Sequence, residues 1–284
     1  MNKHSRRAFL QTSALGLAVA GTGPVLTACS SQGKKEEEKK CEILFQLGIA
    51  SYTFRKFSLE DTLVMTARLG IKNLCFKSFH LPLESTAEQI AGVVAKVKEA
   101  GLNLYGGGVI YMTSEQEVHT TFDYARAAGM KVIVGAPNHE LLPLVEQKVK
   151  EYDIILAIHN HGPGDELYPT AASIIDKIGN MDPRMGICLD IGHTIRVGGD
   201  PVQDVETYFA RILDVHIKDE SAATPEGLTI EIGRGIIDIP AFIKVLAGKG
   251  YSGMVSFEFE KDEDDPLPGL AESVGYVRGV LDTL

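Results

Sequence analysis

Six places in this sequence put metal-ligand or proton-carrying side chains directly behind a short apolar run. They are Tyr52-Thr53-Phe54-Arg55, Lys77-Ser78-Phe79-His80, His159-Asn160-His161, Asp190-Ile191-Gly192-His193, His216-Ile217-Lys218-Asp219 and Glu258-Phe259-Glu260. Five of the eight histidines fall in this set: His80, His159, His161, His193 and His216. Carboxylates and imidazoles together form a mixed donor set. It suits one Mn²⁺, Zn²⁺, Co²⁺, Fe²⁺ or Mg²⁺ without choosing among them. Each residue alone has a blander reading. A single His behind a strand is more often a hydrogen-bonded structural residue, and a single Asp there more often caps the next helix. Four successive apolar runs ending in ligand-type residues argue instead for convergence on one ion.

Convergence requires elements that bring those ends to one place. From Glu42 onward, apolar runs at 45–51, 72–77, 102–105, 131–135, 154–160, 185–189, 213–218 and 254–259 alternate with stretches of helical periodicity, such as Ile90, Val93, Val94 and Val97. Continuous apolar runs of this length read as strands covered on both faces. Ser58-x-x-Asp61, Ser85-x-x-Glu88 and Ser114-x-x-Glu117 mark helix starts, and Pro201 and Pro240 suit first helical positions. Gly70, Gly101, Gly129, Gly179 and Gly250 suit helix ends. Eight strand–helix units over residues 42–284 predict a single-domain α/β fold, a (β/α)₈ TIM barrel, with its active site at the C-terminal ends of the strands. A doubly wound open sheet is the alternative. It usually has fewer strands, and no glycine-rich phosphate loop follows the first run.

The stretches Leu189-Asp190-Ile191-Gly192-His193, Asp214-Val215-His216-Ile217-Lys218-Asp219, Gly233-Arg234-Gly235 and Val255-Ser256-Phe257-Glu258 resemble the xylose isomerase-like TIM barrels. That family includes sugar phosphate isomerases and epimerases, with tagatose/psicose epimerases and inosose dehydratases as relatives. The resemblance runs from Glu42 to the C-terminus. It implies one divalent metal held by a strand-5 Glu, Asp190, His216 and Glu258, with His193 touching substrate. On strand 5 the chain departs from the pattern, because His159 stands where the relatives have Glu. His159 is then the expected fourth ligand, with His161 and Glu166 as substitutes.

The expected chemistry is proton abstraction next to a sugar carbonyl through a metal-stabilised enediolate. Glu258 is the expected base, and His159 or Glu260 returns the proton. Lys77, a further catalytic candidate, would bind hydroxyls or stabilise oxyanions. His80, Arg55, Arg234, His161 and Asp219 are further candidates for substrate contact. Without the strand-5 carboxylate the family's two-carboxylate epimerisation is open to change. A 3-keto-glycoside lyase that eliminates the aglycone is the alternative reaction, and a non-catalytic sugar-binding lipoprotein is the alternative of another class.

The N-terminus reads as an export signal. Ser5-Arg6-Arg7-Ala8-Phe9-Leu10 is a twin-arginine pattern, an apolar run follows to Val25, and Leu26-Thr27-Ala28-Cys29 reads as a lipobox with Cys29 lipidated. A transmembrane helix would need a longer and less Gly- and Ala-rich run. The expected layout is a signal peptide over 1–28, a polar tether over 29–41 and the barrel over 42–284. That layout implies a periplasmic or outer-membrane-anchored lipoprotein. Removal of the signal takes away three basic residues and no acidic one, moving the formal charge from −10 to −13. Such an acidic chain is a poor partner for nucleic acid, and with the expected export it argues against the superfamily's apurinic endonucleases. The expected partner is a small sugar or keto-sugar glycoside, with membrane attachment by the lipid alone and oligomerisation left open. Cys75 and Cys188 lie in apolar runs and read as buried thiols, with no disulfide framework.

Overall fold

Eight parallel strands close on themselves in a computed structural model that describes residues 42–284. The expected signal peptide, Cys29 and the expected tether lie outside the described residues. The strands are β1 (Gln46–Ala50), β2 (Asn73–Phe76), β3 (Asn103–Met112), β4 (Val132–Pro137), β5 (Ile155–His159), β6 (Met185–Asp190), β7 (Ile212–Ile217) and β8 (Met254–Phe257). Each pairs with its neighbour in sequence. The β1–β8 pairing, Gln46 beside Met254 through Ile49 beside Phe257, closes the ring. A single-domain (β/α)₈ TIM barrel results. Among the described residues no helix is long and apolar enough to cross a membrane.

Helices α1 (Leu59–Arg68), α2 (Ala87–Glu99), α3 (Glu115–Ala127), α4 (Leu142–Tyr152) and α5 (Ala171–Ile178) return the chain between the first six strands. Two short helices, α6 (Ile191–Arg196) and α7 (Pro201–Tyr208), follow β6. Helix α8 (Ile239–Gly248) precedes β8 and α9 (Leu267–Leu281) follows it. Ser58, Ser114 and Asp200 cap their helices through the side chain. Helix α2 starts one residue later than the Ser85 reading. Thr86 is its cap and forms a reciprocal pair with Gln89. Pro240 is the second residue of α8, whose cap is Asp238.

Alternation along the strands sorts side chains into two layers. Leu156, Ile158, Ile187, Leu189, Val215, Ile217, Val255 and Phe257 join the main core with the helices. Cys75, Tyr105, Ala157 and Cys188 fill the barrel interior, and both cysteines are free and buried. The next interior positions along β5, β6 and β7 are His159, Asp190 and His216. The strand period therefore delivers these three side chains to one end of the barrel.

The largest departure from the expected elements is β3, which runs to Met112 instead of stopping at Tyr105. Gly106-Gly107-Gly108 looks like a break in sequence. In the barrel it lets β4 come close: a Cβ at Gly106 would lie 2.8 Å from the Val132 carbonyl oxygen. The register shifts between Gly107 and Ile110, and the strand then continues to carry Val109 and Tyr111 to the rim.

Candidate metal centre

His159, Asp190, His216 and Glu258 each offer a ligand atom, and the four atoms lie within 4.8 Å of one another. All four residues are buried. His159 Nε2 is 3.3 Å from Asp190 Oδ2, and His216 Nδ1 is 3.3 Å from Glu258 Oε2. Both ring nitrogens of His159 and both of His216 lack a hydrogen-bond partner. Buried polar atoms are rarely left unpaired, so four together fit a site built to hold a cation.

The surrounding chain fixes these side chains. Asp190 uses Oδ1 to accept the His193 N–H at 2.8 Å, capping α6, while Oδ2 turns to the cluster. One oxygen of this Asp therefore caps the helix, and the other is left facing the ligand cluster. Asn160 clamps the Asp190 backbone from both sides, accepting its N–H at 2.9 Å and donating Nδ2 to its carbonyl at 3.0 Å. Thr53 Oγ1 accepts the Phe259 N–H at 2.9 Å, which pins the chain between Glu258 and Glu260.

Lys218 has no assigned role in the sequence motif, and the structure places it at the heart of the site. Its side chain is 1% exposed, with Nζ 2.9 Å from Asp190 Oδ2 and 2.8 Å from Glu258 Oε2. The same Nζ also donates to Glu260. A lysine behind a strand reads as a solvated end, because sequence does not reveal that the chain keeps β periodicity for two residues past His216. Gly192 makes room for its stem: a Cβ there would lie 2.5 Å from Lys218 Cγ and Cδ.

Charge and burial set the protonation pattern. Burial works to raise Asp190 and Glu258, but the Lys218 ammonium and the neighbouring imidazoles hold both carboxyls below their usual range. Burial also works to lower Lys218, and Asp190, Glu258 and Glu260 outweigh it, so its ammonium persists. Burial pushes His159 down to about 4, and with help from His159 it pushes His161 down to about 4. His193 is lowered for the same reason. His216 is raised, because the charge of Glu258 overcomes its burial. Three of the four clustered histidines are thus neutral near pH 7, the form in which imidazole binds a metal. A divalent ion would compete directly with the proton that Glu258 favours on His216.

A cavity of about 210 Å³ opens over the cluster. His159, His161, His193, Glu258 and Glu260 form one wall, and Tyr52, Lys77, Val109 and Tyr111 form the other. Lys77 donates Nζ to the Val109 carbonyl at 2.6 Å and is lowered by burial. His161 Nε2 meets the Tyr111 hydroxyl at 3.0 Å. Val109, Tyr111 and Tyr52 went unassigned in the sequence reading. The signal for the first two was the apolar and aromatic content just past the triple glycine.

Other expected contacts are corrected. His80 is buried and spends Nδ1 on Ser51 Oγ at 2.9 Å and Nε2 on Thr62 Oγ1 at 3.0 Å, away from the cavity. Asp219 collects the N–H groups of Glu220, Gly233, Gly235 and Ile237, so it shapes a loop and touches no cavity. Arg234, in that loop, points to the surface and forks onto Glu272. Arg55 lies behind the wall, donating to the Glu260 carbonyl at 3.0 Å and to Glu263 at 3.1 Å. Glu166 is exposed and is not part of the ligand cluster. Strand-end position identified the right loops but not which way each side chain turns.

Residues 55–280 match the family described as xylose isomerase-like TIM barrel. The rhizopine catabolism protein MocC of Rhizobium meliloti is 28% identical over 156 residues, 50% of this chain and 47% of that protein. The chain thus spans about half the length of that relative. Inosose dehydratase 2 of Bacillus cereus is 26% identical over 84% of this chain and 76% of its own. A solved structure of an uncharacterized protein from Parabacteroides distasonis superposes with a TM-score of 0.67 at 25% identity, covering 84% of this chain and 99% of that one.

Proposed function

The chain belongs to the xylose isomerase-like TIM barrel family and is a metal-dependent enzyme, and we propose that it removes a proton from the carbon next to a sugar carbonyl. The supporting observation is four ligand-type side chains meeting beneath one cavity, with two of them, His159 and Glu258, lining it beside Glu260. When bound, a divalent ion supplies positive charge to the oxygen that becomes anionic as the proton leaves. The chain's own residues do the rest. Glu258, kept ionised by Lys218, takes the proton, and Glu260 stands beside it on the same ammonium. Lys77 has two N–H bonds beyond the one given to Val109 and offers them to a substrate oxygen. His159 and His161, neutral through burial, face the same cavity and can carry the proton back.

Loss of the proton leaves an electron pair with two outcomes. Reprotonation isomerises or epimerises the sugar, and expulsion of a group from the neighbouring carbon eliminates it. His159 in place of a carboxylate, together with a relative named as a dehydratase, supports elimination as the second reading. A 3-keto-glycoside deprotonated at C2 would lose its aglycone from C1. A sugar-binding protein on a degenerate barrel would be expected to have lost its ligand cluster, and here all four members are in place. The signal read from residues 1–29 adds the proposal that the enzyme works lipid-anchored outside the cytoplasm, where glycosides are more available than sugar phosphates. The test is turnover of a sugar panel in D₂O. Deuterium should enter the carbon next to the carbonyl with wild type and not with Glu258→Gln. Exchange that survives the substitution, at unchanged rate, would remove Glu258 as the base.

A further inference from the structure

We infer that Tyr52, Phe79 and Tyr111 form a subsite at the cavity mouth for a flat, apolar group attached to the sugar. The substrate is then an aryl-type or similarly apolar keto-glycoside, which keeps the carbonyl that the proposed reaction needs. This inference rests on the sugar reading above and specifies what the sugar carries.

The two sides of the mouth differ in chemistry. The side built by β5, β6 and β8 is imidazole and carboxylate, whereas the side built behind β1, β2 and β3 carries Tyr52 and Tyr111 with Lys77 and Val109. Phe79 is 45% exposed and Tyr111 48% exposed, which leaves large apolar faces in water. Tyr111 lines the cavity and Phe79 stands just outside that lining against Tyr52, and exposed rings gathered at a cavity mouth mark a binding face. The Tyr52 and Phe79 rings are 6.2 Å apart, and Lys77 Nζ lies 5.9 Å from the Tyr111 ring. The aromatic face therefore continues directly into the cavity.

These rings are held in place before any ligand arrives. Tyr111 stacks on His161 at 5.5 Å and 24°, with its hydroxyl on Nε2. Phe79 sets its edge against His80 at 5.1 Å, and Ser51 and Thr62 hold that imidazole. Tyr52 lies against Arg55, which is itself tied to the loop carrying Glu260. Fixed aromatic rings bind with little loss of side-chain entropy. His80 and Arg55, which do not reach the cavity, thus position the rings that flank it.

Lys77 keeps two N–H bonds for the sugar itself, while the Tyr111 hydroxyl is paired with His161 Nε2 and Phe79 has no polar group. A flat apolar group would find exposed ring faces.

The test is calorimetric titration of the full-length, metal-loaded protein with matched methyl and phenyl 3-keto-β-glycosides of gluco, galacto and xylo configuration. Covering about half of a phenyl ring gives the phenyl member about tenfold tighter binding. Phe79→Ser should bring the phenyl-to-methyl ratio close to one, and Phe79→Trp should keep it. Equal binding of both members by wild type, or a ratio unmoved in Phe79→Ser, overturns the subsite while leaving the sugar reading standing. Binding of neither member across the panel overturns both.

Discussion

Replacing Lys218 with Met removes the ammonium that Asp190, Glu258 and Glu260 share and leaves three carboxylates facing one another in a buried space. At an effective dielectric of ~20, each contact near 2.9 Å is worth about 6 kcal/mol of attraction before desolvation is subtracted. Desolvation offsets most of that, and removing one partner of a buried ion pair costs about 3–5 kcal/mol in practice. For a domain of this size, about 2–4 °C per kcal/mol puts the metal-free unfolding midpoint roughly 6–20 °C lower. The variant should also gain more from added divalent ion than wild type does, because the ion then supplies the charge that the ammonium gave. Glu260→Gln in the same chain removes one of the repelling charges and should return part of the loss. The assay is calorimetric unfolding with and without a chelator. A metal-free midpoint within about 1 °C of wild type would refute the claim that Lys218 holds this carboxylate cluster together.

Three further outcomes are open to measurement, two from the same geometry and one from the N-terminal sequence. Arg55→Ala frees the Glu260 carbonyl and Glu263, so kcat should fall about tenfold while bound metal, read by elemental analysis, stays at its wild-type amount. For pH, His159 and His161 sit near 4 in the fold and near 6.5 when unfolded, so the unfolded chain binds more protons between those values. Metal-free stability should therefore rise with pH from about 4 to about 6.5, and metal retention should be lost as pH falls through the same window, both measurable by unfolding and equilibrium dialysis. For export, Cys29→Ser should move the protein from the membrane fraction to the soluble fraction and abolish palmitate labelling. Unchanged fractionation would overturn the lipoprotein proposal.

The barrel was legible because strand and helix periods alternate eight times and the breakers fall between them. Asp190, His216 and Glu258 were legible because strand order gathers their runs at one end of a closed sheet and the family resemblance picks them out as ligands. His159 could be read from its place on β5, although its chemistry differs from the relatives. What sequence did not reveal was orientation beyond the last ladder position. Asp219 and Lys218 are adjacent, yet one turns into a loop and the other into the centre. Nor could sequence tell that Gly106–Gly108 continues a strand, since that depends on how closely β4 approaches. Arg234 reads as a substrate contact until its neighbour across the surface, Glu272, is known.

The central claim is a single divalent ion held by His159, Asp190, His216 and Glu258. Elemental analysis of the purified full-length protein tests it most directly, compared with Asp190→Asn and His216→Ala. The expected result is about one ion per chain in wild type and a small fraction of that in each variant, with the variants still folded by circular dichroism. Equal metal content in wild type and both variants would contradict it.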